Sequence, residues 1–256
     1  MIMQQNTLSV SRLSNFKPTN HSPWFLLWGV FLFGGFIFGE YDSEAMHRMP
    51  TWARLASSIM LIAAALALTF KHKDSAFLRF SRLIAAGMVL GCLGDFFMAR
   101  QFSVSNHVIF GMASFGLGHM FYIWAALHVG GKLSLGGQKT RLVVWAVWLL
   151  IGVLGWYFVV FRGQQASFLH WAALPYSLLL ATTAGVATGL AMLNEKFIVF
   201  ALGATFFLLS DLILAAELFT GARFHMMGDV IWLLYGPGQM LIVYTCVTIG
   251  SIDKKS

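Results

Sequence analysis

Eight apolar runs, each close to the roughly 20 residues a bilayer requires, alternate with short polar stretches along this chain. They cover residues 24–39, 52–70, 83–99, 107–128, 142–161, 167–193, 197–219 and 229–249. Each predicts a helix, because a chain in hydrocarbon must satisfy its backbone N–H and C=O groups within the segment. The first run is short and glycine-rich. No small-x-small cleavage pattern follows it, and Glu40 to Glu44 is acidic and bulky, so it reads as a transmembrane helix and not as a signal peptide. Residues 1–22 form a polar, mobile tail and residues 251–256 a second short one. The loops leave no room for another domain, so 23–250 is a single membrane domain. The fold class is all-α and polytopic.

The basic residues orient it. With the N-terminus cytoplasmic, that side holds Arg12, Lys17, Lys71, Lys73, Arg79, Arg82, Lys132, Lys139, Arg141, Lys196, Lys254 and Lys255, and the other holds Arg48, Arg54, Arg100, Arg162 and Arg223. Twelve against five places both termini inside. The third and seventh helices then run the same way. Asp95 lies 13 residues beyond Arg82 and Asp211 lies 15 beyond Lys196, so both sit about 20 Å from the cytoplasmic face. The next helices carry Gly118-His119-Met120 and Gly238-Gln239-Met240. This correspondence suggests a parallel repeat of helices 1–4 and 5–8, an arrangement that membrane proteins often use to build a site at the repeat interface.

Composition supports the class. The chain is 58% hydrophobic and 11% charged, against about 25% charged in soluble domains. The net charge of +7 therefore reads as orientation and not as a nucleic-acid signal. Cys92 and Cys246 fall at different depths, which argues against a disulfide, and neither has a second Cys nearby to form a zinc motif. No phosphate-binding glycine motif, nucleophile elbow or His-Glu-x-x-His pattern is present.

Candidate chemistry centres on the two aspartates. A carboxylate at membrane depth costs roughly 2.5–3.5 kcal/mol on insertion scales, so two at one depth point to use. Two neighbouring carboxyls in a poorly solvated site supply one acid and one base. His119 lies on the neighbouring helix with Tyr122 one turn along; alternatively it is a satisfied core residue. Tyr235 and Gln239 are four apart on one face of a helix that Pro237 should kink, which either widens a polar cavity or serves packing. Tyr176 follows Pro175 and is placed toward the same cavity. Ser210 precedes Asp211, with back-bonding to its own helix as its plain alternative. Asp229 and His225 read as solvated interfacial residues, and Glu217 does not share the face of Asp211. A metal site from His119 and the two aspartates is open geometrically, but no spacing demands it, and none is assigned. Three functions fit: an intramembrane enzyme, a proton-coupled transporter or lipid-binding protein using the same aspartates, and a structural protein with polar packing contacts.

Four blocks carry a resemblance. They are Arg82-Leu-Ile-Ala-Ala-Gly with Leu93-Gly-Asp95-Phe-Phe-Met, Phe110-Gly-Met-Ala-Ser-Phe with His119-Met-Phe-Tyr122, Ala201-Leu-Gly-Ala with Phe207-Leu-Leu-Ser210-Asp211, and Tyr235 with Gln239-Met-Leu-Ile. In this order and spacing the chain resembles the YhhN-like lysoplasmalogenase family of eight-helix membrane proteins, from about the second helix onward. The resemblance implies hydrolysis of the vinyl-ether bond of lysoplasmalogens to a fatty aldehyde and a glycerophospho-base. Asp95 and Asp211 would be the catalytic carboxyls, and His119, Tyr122, Tyr176, Ser210, Tyr235 and Gln239 would contact substrate or water. No cofactor is implied. The implied partners are the lysophospholipid, water and membrane lipids, and the location is the inner membrane of a bacterium. The helix containing Tyr235-Gly-Pro-Gly-Gln239 and the Arg48-Met-Pro50 approach to the second helix depart from the family pattern, which bears on substrate choice.

Overall fold

A computed structural model describes residues 22–44, 46–73, 75–162 and 167–252. Of the expected N-terminal tail 1–22, residues 1–21 lie outside the described residues and Ser22 opens the first helix; most of the C-terminal tail, 253–256, also lies outside them. The helices are α1 (Ser22–Phe38), α2 (Thr51–Lys71), α3 (Leu78–Met98), α4 (His107–Lys132), α5 (Gln138–Gly155), α6 (Phe168–Ala191), α7 (Ile198–Ala215) and α8 (Met227–Ile249). Among the described residues the only extended pairing is one bridge between Asp42 and His47.

Seven of these helices, α2 to α8, are long and apolar enough to cross a membrane; α1 is apolar but shorter. Their outward faces carry exposed large apolar side chains, including Leu26, Phe70, Val143, Leu150 and Phe158. Such a continuous apolar exterior is stable only when lipid covers it. The chain is therefore an integral, multi-pass membrane protein.

Helix ends differ from the apolar runs by a few residues. α3 starts at Leu78 because Arg79 and Arg82 are good helix formers at a wet end, although they interrupt the apolar run. α4 continues to Lys132 through Gly130 and Gly131. α6 opens with a cap in which the Ser167 and His170 side chains and backbones satisfy one another. α5 and α7 both finish in π-helical turns, Trp156–Phe161 and Ala216–Thr220. Those wider turns pack against each other and against α6 or α7.

Between lipid-embedded helices, close packing supplies the attraction that hydrophobic exclusion supplies in water. The chain achieves it with glycines. A Cβ on Gly118 of α4 would stand 2.9 Å from the carbonyl oxygen of Gly87 on α3, and one on Gly203 of α7 would stand 2.6 Å from that of Gly238 on α8. The α3–α4 and α7–α8 pairs share the most extensive contacts among the described helices. Around the bundle, α2 packs on α3, α4 on α6, α6 on α7, and α8 returns to α2 and α3. α1 lies outside on α2 and α8, and α5 outside on α6.

The α8 proline does not interrupt its helix, which runs unbroken from Met227 to Ile249. Its flanking glycines serve packing: Gly236 receives Leu32 of α1, and Gly238 receives α7. Cys92 and Cys246 are both buried and free.

Candidate active site

The site lies where α2, α3, α6, α7 and α8 meet. Asp95 is 4% exposed and accepts a 2.5 Å hydrogen bond from the hydroxyl of Ser58 on α2. Tyr235 of α8 brings a second hydroxyl to it. That hydroxyl belongs to a chain with one consistent direction. Tyr122 donates to Gln239 Oε1 at 3.0 Å, Gln239 Nε2 donates to the Tyr235 oxygen at 3.1 Å, and the Tyr235 hydroxyl lies near Asp95. Gln239 and Tyr122 are each 1% exposed. They therefore orient Tyr235 and do not border open space.

Asp211 has different surroundings. It accepts a hydrogen bond from the Tyr176 hydroxyl of α6. With Tyr176 it lines an apolar cavity of about 100 Å³ whose walls include Met112, Phe115, Leu180, Leu212 and Phe219. Both π-helical turns contribute to that wall, through Trp156 and Val160 and through Leu218 and Phe219. Single π turns often mark functional sites because they reset which face of a helix points inward. A second groove of about 400 Å³ between α4 and α6, lined by Gly116, Leu117, Pro175 and Leu179, shares Met112 and Tyr176 with the first. The two carboxyls are near enough that the charge of Asp211 acts on Asp95. Phe115, Phe207 and Tyr235 pack edge to face on one another, with ring centroids 5.1–6.0 Å apart.

His119 is 1% exposed, beside Phe207 at 4.4 Å and Tyr122 at 5.5 Å between ring centroids. Its Nδ1 stands 2.9 Å from the Thr183 hydroxyl, which donates its single proton to the Leu179 carbonyl. Thr183 can then only accept, so the imidazole proton is on Nδ1. Nε2 remains a buried acceptor with no partner among the described residues. Such a group calls for a donor, water or a substrate hydroxyl.

Ser210 is fully buried; its hydroxyl donates to the Phe207 carbonyl at 2.7 Å and also lies 3.3 Å from Asp211 Oδ1, so back-bonding and contact with the carboxyl coexist. Among the described residues no three of His, Cys, Asp and Glu are grouped to hold a metal ion, so His119 and the two aspartates do not form a ligand set. Glu217 faces away toward Arg223 at 3.8 Å, and His225 is exposed against Tyr41.

Asp229 corrects the expectation of a solvated residue. It is 1% exposed and accepts from the backbone N–H groups of Arg48 at 2.6 Å and Met49 at 2.9 Å, just ahead of α2. Those partners lie about 180 positions away in sequence, which no local pattern reveals. Beside it stands a group that local sequence also does not single out. Arg54 Nη2 donates to Thr51 Oγ1 at 3.0 Å and to His47 Nε2 at 3.2 Å, and its guanidinium lies over the Trp232 ring at 5.6 Å. Its charge acts on both Asp229 and Asp95. Ser58 and Thr183 were likewise illegible, because a serine or threonine within an apolar run usually bonds to its own helix.

Neither a curated protein nor a solved structure gives a match to this chain. A family model does, over residues 51–246, from the first residue of α2 to near the end of α8. The matched stretch contains Asp95, Asp211 and every side chain that bonds to them, and on that extent of match the chain belongs to the YhhN family.

Proposed function

We propose that this protein is an intramembrane hydrolase that cleaves the vinyl-ether bond of lysoplasmalogen-type lysophospholipids. The carrying observation is that two buried-site carboxyls from separate helices act on one another, each accepting from a hydroxyl, while only Asp211 borders the apolar cavity. Asp211 is the better-placed acid, since it faces the cavity in which the alkenyl chain would lie. Asp95 is the better-placed anion, since it accepts from Ser58 and lies near the Tyr235 hydroxyl and the Arg54 cation.

The reaction then follows. Asp211 protonates the alkenyl carbon beyond the ether-bearing one, and the double-bond electrons form the new C–H bond. The oxocarbenium ion left behind is stabilised by the Asp95 carboxylate. Water adds to the cationic carbon as a carboxylate takes its proton. The hemiacetal collapses to aldehyde as its proton passes to the departing glycerol oxygen. Two carboxyls divide acid and base work in the same way at glycosidic bonds. The unpartnered His119 Nε2 is a further acceptor for water or a glycerol hydroxyl. The groove between α4 and α6, meeting the cavity at Tyr176, is the proposed entry for lipid.

The same reading takes all eight helices as crossings, both termini as cytoplasmic, and the location as a bacterial inner membrane. It also takes the halves as a parallel four-plus-four repeat. The repeat is supported by matched packing: Gly87 lies eight residues before Asp95 and meets Gly118, while Gly203 lies eight before Asp211 and meets Gly238. Aldehyde release from choline and ethanolamine lysoplasmalogens by detergent-purified protein tests the function, with Asp95→Asn and Asp211→Asn beside it. Loss in both with melting unchanged is expected. Turnover retained in both removes the assignment, and proton-coupled lipid uptake by liposomes without product would favour a transporter.

A further inference from the structure

Two buried N–H donors near the start of α2 have no acceptor. Arg54 Nε is buried with no hydrogen-bond partner among the described residues, and so is His47 Nδ1. The second is a donor by elimination. Arginine only donates, so His47 Nε2 accepts from Arg54 Nη2 across 3.2 Å, and the neutral ring carries its proton on Nδ1. Unsatisfied buried donors are rare and costly, and two on side chains in direct contact are more so. The nearby anion does not account for them. Asp229 accepts the backbone N–H groups of Arg48 and Met49, and neither Arg54 Nε nor His47 Nδ1 is bonded to it. Arg54 is also rigid: Thr51, His47 and the Trp232 ring hold its guanidinium. A fixed, partly buried guanidinium with an idle N–H beside an idle imidazole N–H is what an oxyanion with several acceptor oxygens would satisfy.

From this pair of donors we infer that Arg54 and His47 form the seat for the phosphodiester of the lipid substrate. The inference rests on the hydrolase reading for the rest of the molecule it places. Arg54 and Ser58 are four residues apart on one face of α2, so about 6 Å along its axis. Ser58 holds Asp95. A phosphate at Arg54 therefore stands one helical turn from the catalytic carboxylate. The three-carbon glycerol backbone that joins phosphate to alkenyl-ether oxygen in a lysophospholipid spans a comparable length. Trp232, under the guanidinium, packs edge to face on Tyr235 at 5.1 Å, so packed side chains link the headgroup seat to the Asp95 surroundings. The phosphate sets the depth of the substrate, and the apolar cavity at Asp211 receives the chain.

The test is binding, read by tryptophan fluorescence on purified full-length protein. The probes are a non-hydrolysable 1-alkyl lysophospholipid, the matching 1-alkylglycerol without phosphate, and inorganic phosphate. The unmutated protein is expected to bind the phosphate-bearing lipid about tenfold or more tighter than the alkylglycerol. Arg54→Gln and His47→Asn are expected to bring that ratio close to one, with Arg54→Lys between, since an ammonium keeps the charge but not the fork. An unchanged ratio in Arg54→Gln and His47→Asn overturns the seat, as does no preference in the unmutated protein. Inorganic phosphate that displaces the lipid completely at equal concentration overturns the lipid headgroup as occupant and leaves a free-anion site. Where Arg54→Gln does not fold, His47→Asn and Arg54→Lys carry the result. Aldehyde release separates the two readings. Preferential binding without aldehyde keeps the seat and removes the hydrolase; aldehyde release that Arg54→Gln lowers equally for alkenylglycerol and lysoplasmalogen keeps the hydrolase and removes the seat.

Discussion

Asp229→Asn should destabilise this protein more than most single substitutions do. The native carboxylate takes one backbone N–H on each oxygen, at 2.6 and 2.9 Å, from residues immediately preceding α2. Asparagine has the same outline, but only one of its two ends can accept. One bond survives without its charge, and the other becomes an amide N–H facing a backbone N–H. A hydrogen bond to a charged group contributes about 1.5–3 kcal/mol, and a buried donor left unsatisfied costs about 1–3 kcal/mol. Together they set an expected loss of about 3–5 kcal/mol. At about 2–4 °C per kcal/mol for a chain of this size, the melting temperature should fall by roughly 6–20 °C. Melting in detergent followed by tryptophan fluorescence measures it, and Trp232 lies close by. Asp229→Glu, which keeps the charge but moves it, should fall between. A drop below about 2 °C would show that water satisfies those N–H groups equally well and would refute the argument.

Other substitutions separate packing from chemistry. Gly203→Ala puts a methyl 2.6 Å from the Gly238 carbonyl oxygen, where only backbone can yield, and should cost about 1–3 kcal/mol; Gly34→Ala, with nothing within 4 Å, should be neutral or slightly stabilising in the same melts. Tyr235→Phe removes the hydroxyl between Gln239 and Asp95 but keeps the ring packed on Phe115, Phe207 and Trp232, so kcat for aldehyde release should fall about 10- to 100-fold with the melt near that of the parent; an unchanged kcat would detach Tyr235 from the chemistry. His47, in the loop before α2, titrates below its usual range because of burial first and then Arg54, with Asp229 and Asp42 opposing. The folded protein thus resists its protonation, and stability present above the usual pKa near 6.5 should be lost as pH falls below it. Melts between pH 7.5 and 5 should show this decline, and His47→Gln should flatten it.

The helices were legible because a membrane imposes length and composition on every crossing. Asp95 and Asp211 were legible because a carboxylate there contradicts its solvent. What escaped were the partners. Ser58 and Thr183 look like ordinary back-bonding helix residues, and only the crossing of α2 on α3 and of α4 on α6 makes them ligands of Asp95 and His119. Arg54 and Asp229 were read from their places near helix ends, where charges usually meet water. Long-range folding of the loop before α2 onto α8 buries one and immobilises the other. Pro237 lies inside a helix that runs unbroken from Met227 to Ile249, and its adjacent glycines are used for packing, in line with the packing alternative.

On the four-plus-four reading, the two halves explain why there are two carboxyls and also why they are not interchangeable. The glycine contacts Gly87–Gly118 and Gly203–Gly238 put Asp95 and Asp211 at equivalent heights on equivalent helices. The second helix of each half then supplies one hydroxyl to its carboxyl, Ser58 to Asp95 and Tyr176 to Asp211. Symmetry alone would let either carboxyl hold the shared proton and would not fix which one protonates carbon and which stabilises the resulting cation. The differences lie one layer out. Arg54 stands a turn beyond Ser58, whereas Pro175 and the cavity wall adjoin Tyr176, so one carboxyl faces a cation and the other an apolar chain site. Exchanging those surroundings is thus a sharper test than deleting either carboxyl. Arg54→Met should impair Asp95-dependent steps while leaving the Tyr176–Asp211 contact intact, and Tyr176→Phe should do the reverse. If the two variants give the same pH–rate profile, the halves are functionally equivalent and the division of roles is wrong.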